Sequence, residues 1–125
     1  MKKITAGLLL VLSLAGCSST PSPSQQTESY DTVTELGDAF EDAGGDCSDF
    51  DQTDQILLAK ESALCSPSTL ISIYASESDR DQMITSLKNS LGDTPPHLLV
   101  GKNWVINTEN PEKYVDELGG KVVTK

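Results

Sequence analysis

The sequence predicts an α+β domain: a small, mainly antiparallel sheet with three helices packed on one face, in the order α-β-β-α-β(-β)-α. Three observations lead there. Apolar residues recur at spacings of three and four in three separate segments, which is the helical period. Short β-rich runs lie between those segments. Gly, Pro and paired small residues punctuate nearly every junction, so the elements are short and must stack as two layers around one core.

The first helix is expected over Asp31–Ala43, where Val33, Leu36, Phe40 and Ala43 form one face. Thr32-Val33-Thr34-Glu35 offers a capping box, and Gly44-Gly45 a stop. Ile56–Lys60 and Thr69–Ala75 read as strands, with "KESALCSPS" between them as a strand end running into a turn at Pro67. The second helix is expected to start at Ser78, with Asp81 as its box partner. Met83, Ile84, Leu87 and Leu91 line its inner face, and Gly92 ends it. His97–Gly101 and Trp104–Asn107 form either a tight hairpin or one bulged strand. Asn110-Pro111 opens the third helix with a proline at its first position. Tyr114, Val115 and Leu118 face inward, Gly119-Gly120 closes the helix, and Val122-Val123 can add an edge strand.

The N-terminus has a different logic. Met1-Lys2-Lys3 is followed by a leucine-rich, uncharged run from Ile4 to Leu14 and by small Ala15-Gly16. That run falls well short of the ~20 residues needed to span a bilayer, and it has the layout of a secretory signal. An ordinary cleaved signal with an incidental cysteine is the plainer alternative. Leu14-Ala15-Gly16-Cys17, however, resembles the bacterial lipobox. The resemblance implies a thioether-linked diacylglycerol on Cys17 and cleavage before it. The chain then divides into a signal peptide (1–16), a tether (17–29) and one globular domain (30–125). Residues 18–29, "SSTPSPSQQTES", contain nothing larger than Gln and carry two prolines. They read as a solvated spacer reaching about 40 Å when extended at ~3.3 Å per residue.

Cleavage removes Lys2 and Lys3 and takes the net charge from −10 to −12. No Lys or Arg lies between Glu28 and Asp54, a stretch with ten acids. Such a surface repels nucleic acid and anionic lipid, and leaves a cationic ligand or simple solubility as its use. With Cys17 lipidated, Cys47 and Cys65 remain in an oxidising compartment, where a disulfide is expected; two buried free thiols are the alternative.

Candidate chemistry is sparse. His97, the single histidine, stands beside two prolines with no nucleophile signature near any serine. Cys47 would have to stay reduced to act as a nucleophile. Two cysteines 18 apart with one histidine fit no zinc pattern. Asp46, Asp49, Asp51 and Asp54 supply the hard oxygens calcium prefers, without the glycine turn or the distal glutamate of an EF-hand. A solvated acidic loop is the expectation there. No cofactor, no metal and no enzymatic activity are expected.

"VGKNWVI", Val100–Ile106, holds the single tryptophan. Gly101 or Asn103 is expected at positive φ, turning the chain sharply. Trp104 then packs inside against Leu87 and Leu118; an exposed contact residue is the alternative. With the lipobox, the Ser/Thr/Pro tether, the cysteine pair, Gly-x-Asn-Trp (Gly101, Asn103, Trp104) and Leu118-Gly119-Gly120, the chain resembles small surface lipoproteins of actinobacteria. Lys102 departs from the proline common at that position. The resemblance implies a Gram-positive envelope and the outer side of the cytoplasmic membrane. That family has no assigned biochemical activity, so no catalytic residue carries over.

The leading expectation is therefore a lipid-anchored extracytoplasmic envelope protein, a non-enzymatic binding or accessory module. Its expected partners are the membrane, through diacylglycerol on Cys17, and an envelope protein or cationic ligand; a monomer is expected. A prophage-type exclusion lipoprotein that blocks an envelope partner is one alternative. A carboxylate-based envelope hydrolase is the other, and it needs two carboxyls at a fixed separation in a cleft.

Overall fold

The computed structural model describes residues 28–54 and 56–124. The signal peptide, Cys17 and the tether up to residue 27 lie outside the described residues. Helix α1 runs from Val33 to Asp42. Thr32 caps it by accepting from the Glu35 amide at 3.2 Å, while the Glu35 carboxylate accepts from the Asp31 amide at 3.1 Å. These are the reciprocal bonds of a capping box, displaced by one residue on the return leg. Gly44, at φ 94°, lets the chain leave the helix.

Three strands follow: β1 (Asp51–Thr53), β2 (Glu61–Ser66) and β3 (Thr69–Ile73). Then come α2 (Glu77–Leu91) and the hairpin of β4 (Leu98–Val100) and β5 (Trp104–Asn107). A 3-10 turn at Pro111–Tyr114 runs into α3 (Val115–Leu118), and β6 (Lys121–Val123) ends the described chain. The six strands form one open sheet in the order β1-β2-β3-β5-β4-β6, with every neighbouring pair antiparallel. The α+β class and the antiparallel sheet are as the sequence predicts, and His97–Asn107 resolves into the tight hairpin.

Four details differ. Ile56–Lys60 is not a strand; the strand is the next segment, Glu61–Ser66, where Ala63 and Cys65 are buried on one face. The run of Ile, Leu and Leu looks β-rich, but those side chains project from a loop, with Leu57 exposed at 78%. β1 is an added edge strand of polar residues that exists by pairing with β2, not by its own propensity. Helix α2 begins at Glu77, one residue early, because Ser76 and not Ser78 is the N-cap and accepts from the Asp79 amide at 3.1 Å.

The helices also do not share one face. Leu36 and Phe40 of α1 and Leu118 of α3 join Ala63, Cys65, Ile71, Ile73, Leu99, Trp104 and Ile106 in one cluster. Met83, Ile84 and Leu87 of α2 pack against Tyr74, Leu98 and Val105 in a second. Successive strand residues point to opposite faces, so Trp104 and Val105 must separate. Both faces of β4 and β5 are apolar, and α2 covers the side that α1 and α3 leave open.

The registers define two ends of the sheet. Thr53, Glu61, Ile73, Val100, Trp104 and Lys121 lie at one, beside the β4–β5 turn. Asp51, Thr69, Leu98, Asn107 and Val123 lie at the other.

Candidate functional site

The β4–β5 turn organises the hairpin end. Gly101 closes it by donating its amide to the Trp104 carbonyl at 2.9 Å. Neither Gly101 nor Asn103 has the positive φ expected of it. Glycine is needed at 101 for another reason: a Cβ there would run into the Trp104 indole. The hairpin lays its own backbone against the ring, and only a residue without a side chain permits that approach.

Trp104 is fully buried, as expected. Leu118 belongs to its cluster; Leu87 does not, since it lies across the sheet with α2. The indole Nε1 donates to the Glu28 carbonyl at 2.8 Å. Beside it, Asn103 grips Tyr30 at both backbone groups: Oδ1 accepts from the Tyr30 amide at 3.0 Å, and Nδ2 donates to the Tyr30 carbonyl at 2.7 Å. One side-chain amide thus does for Tyr30 what a paired strand residue would do. The Tyr30 ring meets Trp104 edge-on, with centroids 6.1 Å apart at 61°. Lys60 Nζ donates to the Asp31 carbonyl at 3.0 Å, and Glu61 Oε1 accepts from the Val33 amide at 3.4 Å. Residues 28–31 therefore form a strap, clamped where the tether meets the domain. Partial burial pushes the Tyr30 phenol above its usual range, and the Glu28 carboxylate adds to this.

Arg80 holds the turn from the other side. Its Nη1 donates to the carbonyls of Gly101 and Lys102, each at 2.7 Å. Nε and Nη2 reach one Asp81 oxygen at 2.9 and 2.8 Å, and Glu77 stands 3.8 Å away. Sequence reasoning missed both Arg80 and Tyr30. The aromatic at the end of a polar tether was the one readable signal; a lone arginine in the first turns of a helix gives none.

Two open depressions flank the start of α2. One, of about 530 Å³, has Arg80, Lys102, Lys121 and Glu77 around Gly101. The other, of about 810 Å³, runs between Leu57-Leu58 and the polar side chains Ser78, Asp81, Gln82, Thr85 and Ser86. Leu58 holds a positive φ of 70°, a conformation that costs an L-residue about 1–2 kcal/mol.

The cysteine pair is bonded: Cys47 and Cys65 form a disulfide with Cα atoms 3.9 Å apart, tying the segment after α1 to β2. In the acidic loop, the Ser48 hydroxyl and amide donate to Asp46 Oδ1 at 2.7 and 3.1 Å, and these bonds hold the Asp46 carboxyl below its usual range. Asp46 thus turns inward on its own loop as an Asx-turn. Among the described residues no group of three or more His, Cys, Asp or Glu is placed to hold a metal ion. His97 is exposed.

The model for the prokaryotic membrane lipoprotein lipid attachment site matches residues 1–18. The match takes in Leu14 to Cys17, and this lipobox indicates a lipid-anchored lipoprotein. No curated protein and no solved structure matches the chain. No helix among the described residues is long and apolar enough to cross a membrane.

Proposed function

We propose that this lipoprotein is displayed on the extracytoplasmic face of the cell envelope, where its domain serves as a non-enzymatic, monomeric binding or accessory module. The observation that carries the reading is the lipid attachment site at residues 1–18, joined through a short tether to a domain that grips the tether's far end. The Cys47–Cys65 disulfide supports an exported setting, because such bonds persist where thiols are not kept reduced. The resemblance to actinobacterial surface lipoproteins supports a Gram-positive envelope.

The test is protease treatment of intact cells, with membrane fractionation of the wild type and of Cys17→Ala. Wild-type protein is expected in the membrane fraction and is digested from outside the cell. Cys17→Ala is expected to be released or to remain unprocessed. Membrane-bound protein that resists external protease until the cells are lysed would overturn the extracytoplasmic assignment.

A further inference from the structure

We propose that the hairpin end of the domain rests on the bilayer that carries its own lipid anchor, with Leu57 and Leu58 entering the interface and Lys102 and Lys121 meeting lipid phosphates. The proposal rests on the lipid-anchored reading above and adds an orientation to it.

The strap fixes where the chain leaves the domain. Trp104 Nε1 holds the Glu28 carbonyl at 2.8 Å, so the chain between the anchor and the domain is residues 18–27. Those residues reach about 33 Å extended, at ~3.3 Å each, and much less as a coil. The hairpin end is therefore the end tied closest to the lipid.

Exposed groups of the right chemistry gather at that end. Leu57 and Leu58 are exposed at 78% and 40%. They sit in the loop that enters β2, just before Lys60, whose amide bonds the Ile73 carbonyl at 2.7 Å. A leucine held at φ 70° is not what a solvated loop selects; glycine or asparagine would sit there without strain. Strain retained at an exposed apolar tip points to a contact the isolated domain does not show. Phe50 and Leu64, the other exposed large apolar side chains among the described residues, belong to the opposite end.

The bases follow the same distribution. Lys60, Arg80, Lys102 and Lys121 stand at the hairpin end; among the described residues only Lys88 and Lys113 stand elsewhere. Arg80 pairs with Asp81 and Glu77, and the exposed Lys102 and Lys121 line the depression they share. The net charge of the chain repels anionic lipid at a distance. Glu28, Asp31, Glu61, Glu77 and Asp81 stand at the same end, so the leucines carry the contact, and Lys102 and Lys121 act only on single phosphates at contact range, inside a screening length of ~8 Å. A lipid anchor plus a small apolar and basic contact is the two-signal arrangement that makes membrane association durable.

The test uses the mature lipidated chain reconstituted into vesicles of equimolar phosphatidylcholine and phosphatidylglycerol, with brominated acyl chains as fluorescence quenchers. Trp104 is buried and gives a constant background. Leu57→Trp places a reporter at the proposed contact; Ser68→Trp, at the exposed β2–β3 turn, places one at the opposite end. Leu57→Trp emission is expected to shift to the blue and to be quenched several-fold more than that of Ser68→Trp. Adding Lys102→Glu and Lys121→Glu is expected to reduce that quenching. Equal quenching at both positions, or none at either while the protein floats with the vesicles, would overturn the docking and leave the anchor standing. A Leu57→Trp reporter shielded from iodide but not quenched by lipid would overturn it in favour of a protein partner. Failure to float with the vesicles would overturn the anchored reading and the docking together.

Discussion

Trp104 does two jobs that separate cleanly by substitution. Its ring fills the core on the α1 side of the sheet, and its Nε1 holds the strap. Trp104→Phe keeps most of the ring and loses the bond to Glu28, so it is expected to cost about 0.5–1.5 kcal/mol for the hydrogen bond in addition to lost packing. Trp104→Ala is expected to cost about 3–5 kcal/mol. Thermal melts of both variants check the order. Gly101→Ala is expected to destabilise as well, by about 1–3 kcal/mol, because the added methyl overpacks against the indole. At this scale the sequence was half legible. A lone Trp in a small domain reads as core from size alone. The reason for Gly101 did not, since close approach depends on which residue the turn folds back upon. Tyr74 gives a residue-scale prediction in pH. Burial raises its phenol above 10.0, opposed in part by the bond with Ser72 at 2.8 Å. The unfolded chain therefore ionises first, and the stability Tyr74 contributes is intact below about pH 10 and lost as pH climbs through the raised value. Denaturant melts of wild type and Tyr74→Phe across that range check it: the wild-type decline should be steeper.

Elements show where periodicity suffices and where it does not. α1 was legible because its cap, its apolar face and its glycine stop all agree. α2 was legible in extent but not in placement. It has no fully buried residue; Met83, Ile84 and Leu87 are half-buried over a sheet face whose apolar side chains alternate with those of the main core. Sequence alternation in β4 and β5 is masked when both faces are apolar, so nothing in "LLV" or "WVI" says that a helix sits on each side. A helix seated this way should open locally before the sheet does. Hydrogen exchange is expected to show α2 amides exchanging faster than those of β3 and β5; equal protection would contradict it. The disulfide acts at the same scale, closing a loop between residues 18 apart. The double variant Cys47→Ser/Cys65→Ser is expected to lose about 3 kcal/mol by the chain-entropy argument, read as a lower denaturant midpoint.

For the whole molecule, the lipid attachment site is carried by a short contiguous motif, so it is legible without knowledge of the fold. The strap is the opposite case. Asn103 and Tyr30 are 73 residues apart in sequence, and their contact exists only because β4 and β5 bring the turn beside the start of α1. The result is a domain whose two ends differ: the hairpin end carries the clamp, two exposed leucines and most of the bases, together with Glu61, Glu77 and Asp81, while Asp49 and Asp51 stand toward the other. The proposed membrane orientation requires the chain to begin, in its mature form, at a lipidated Cys17. The most direct measurement is mass spectrometry of the N-terminal peptide from protein recovered from its native membrane. The predicted result is a peptide starting at Cys17 whose mass includes a thioether-linked diacylglycerol. A peptide starting at Cys17 without lipid, or starting at any other residue, would contradict the account.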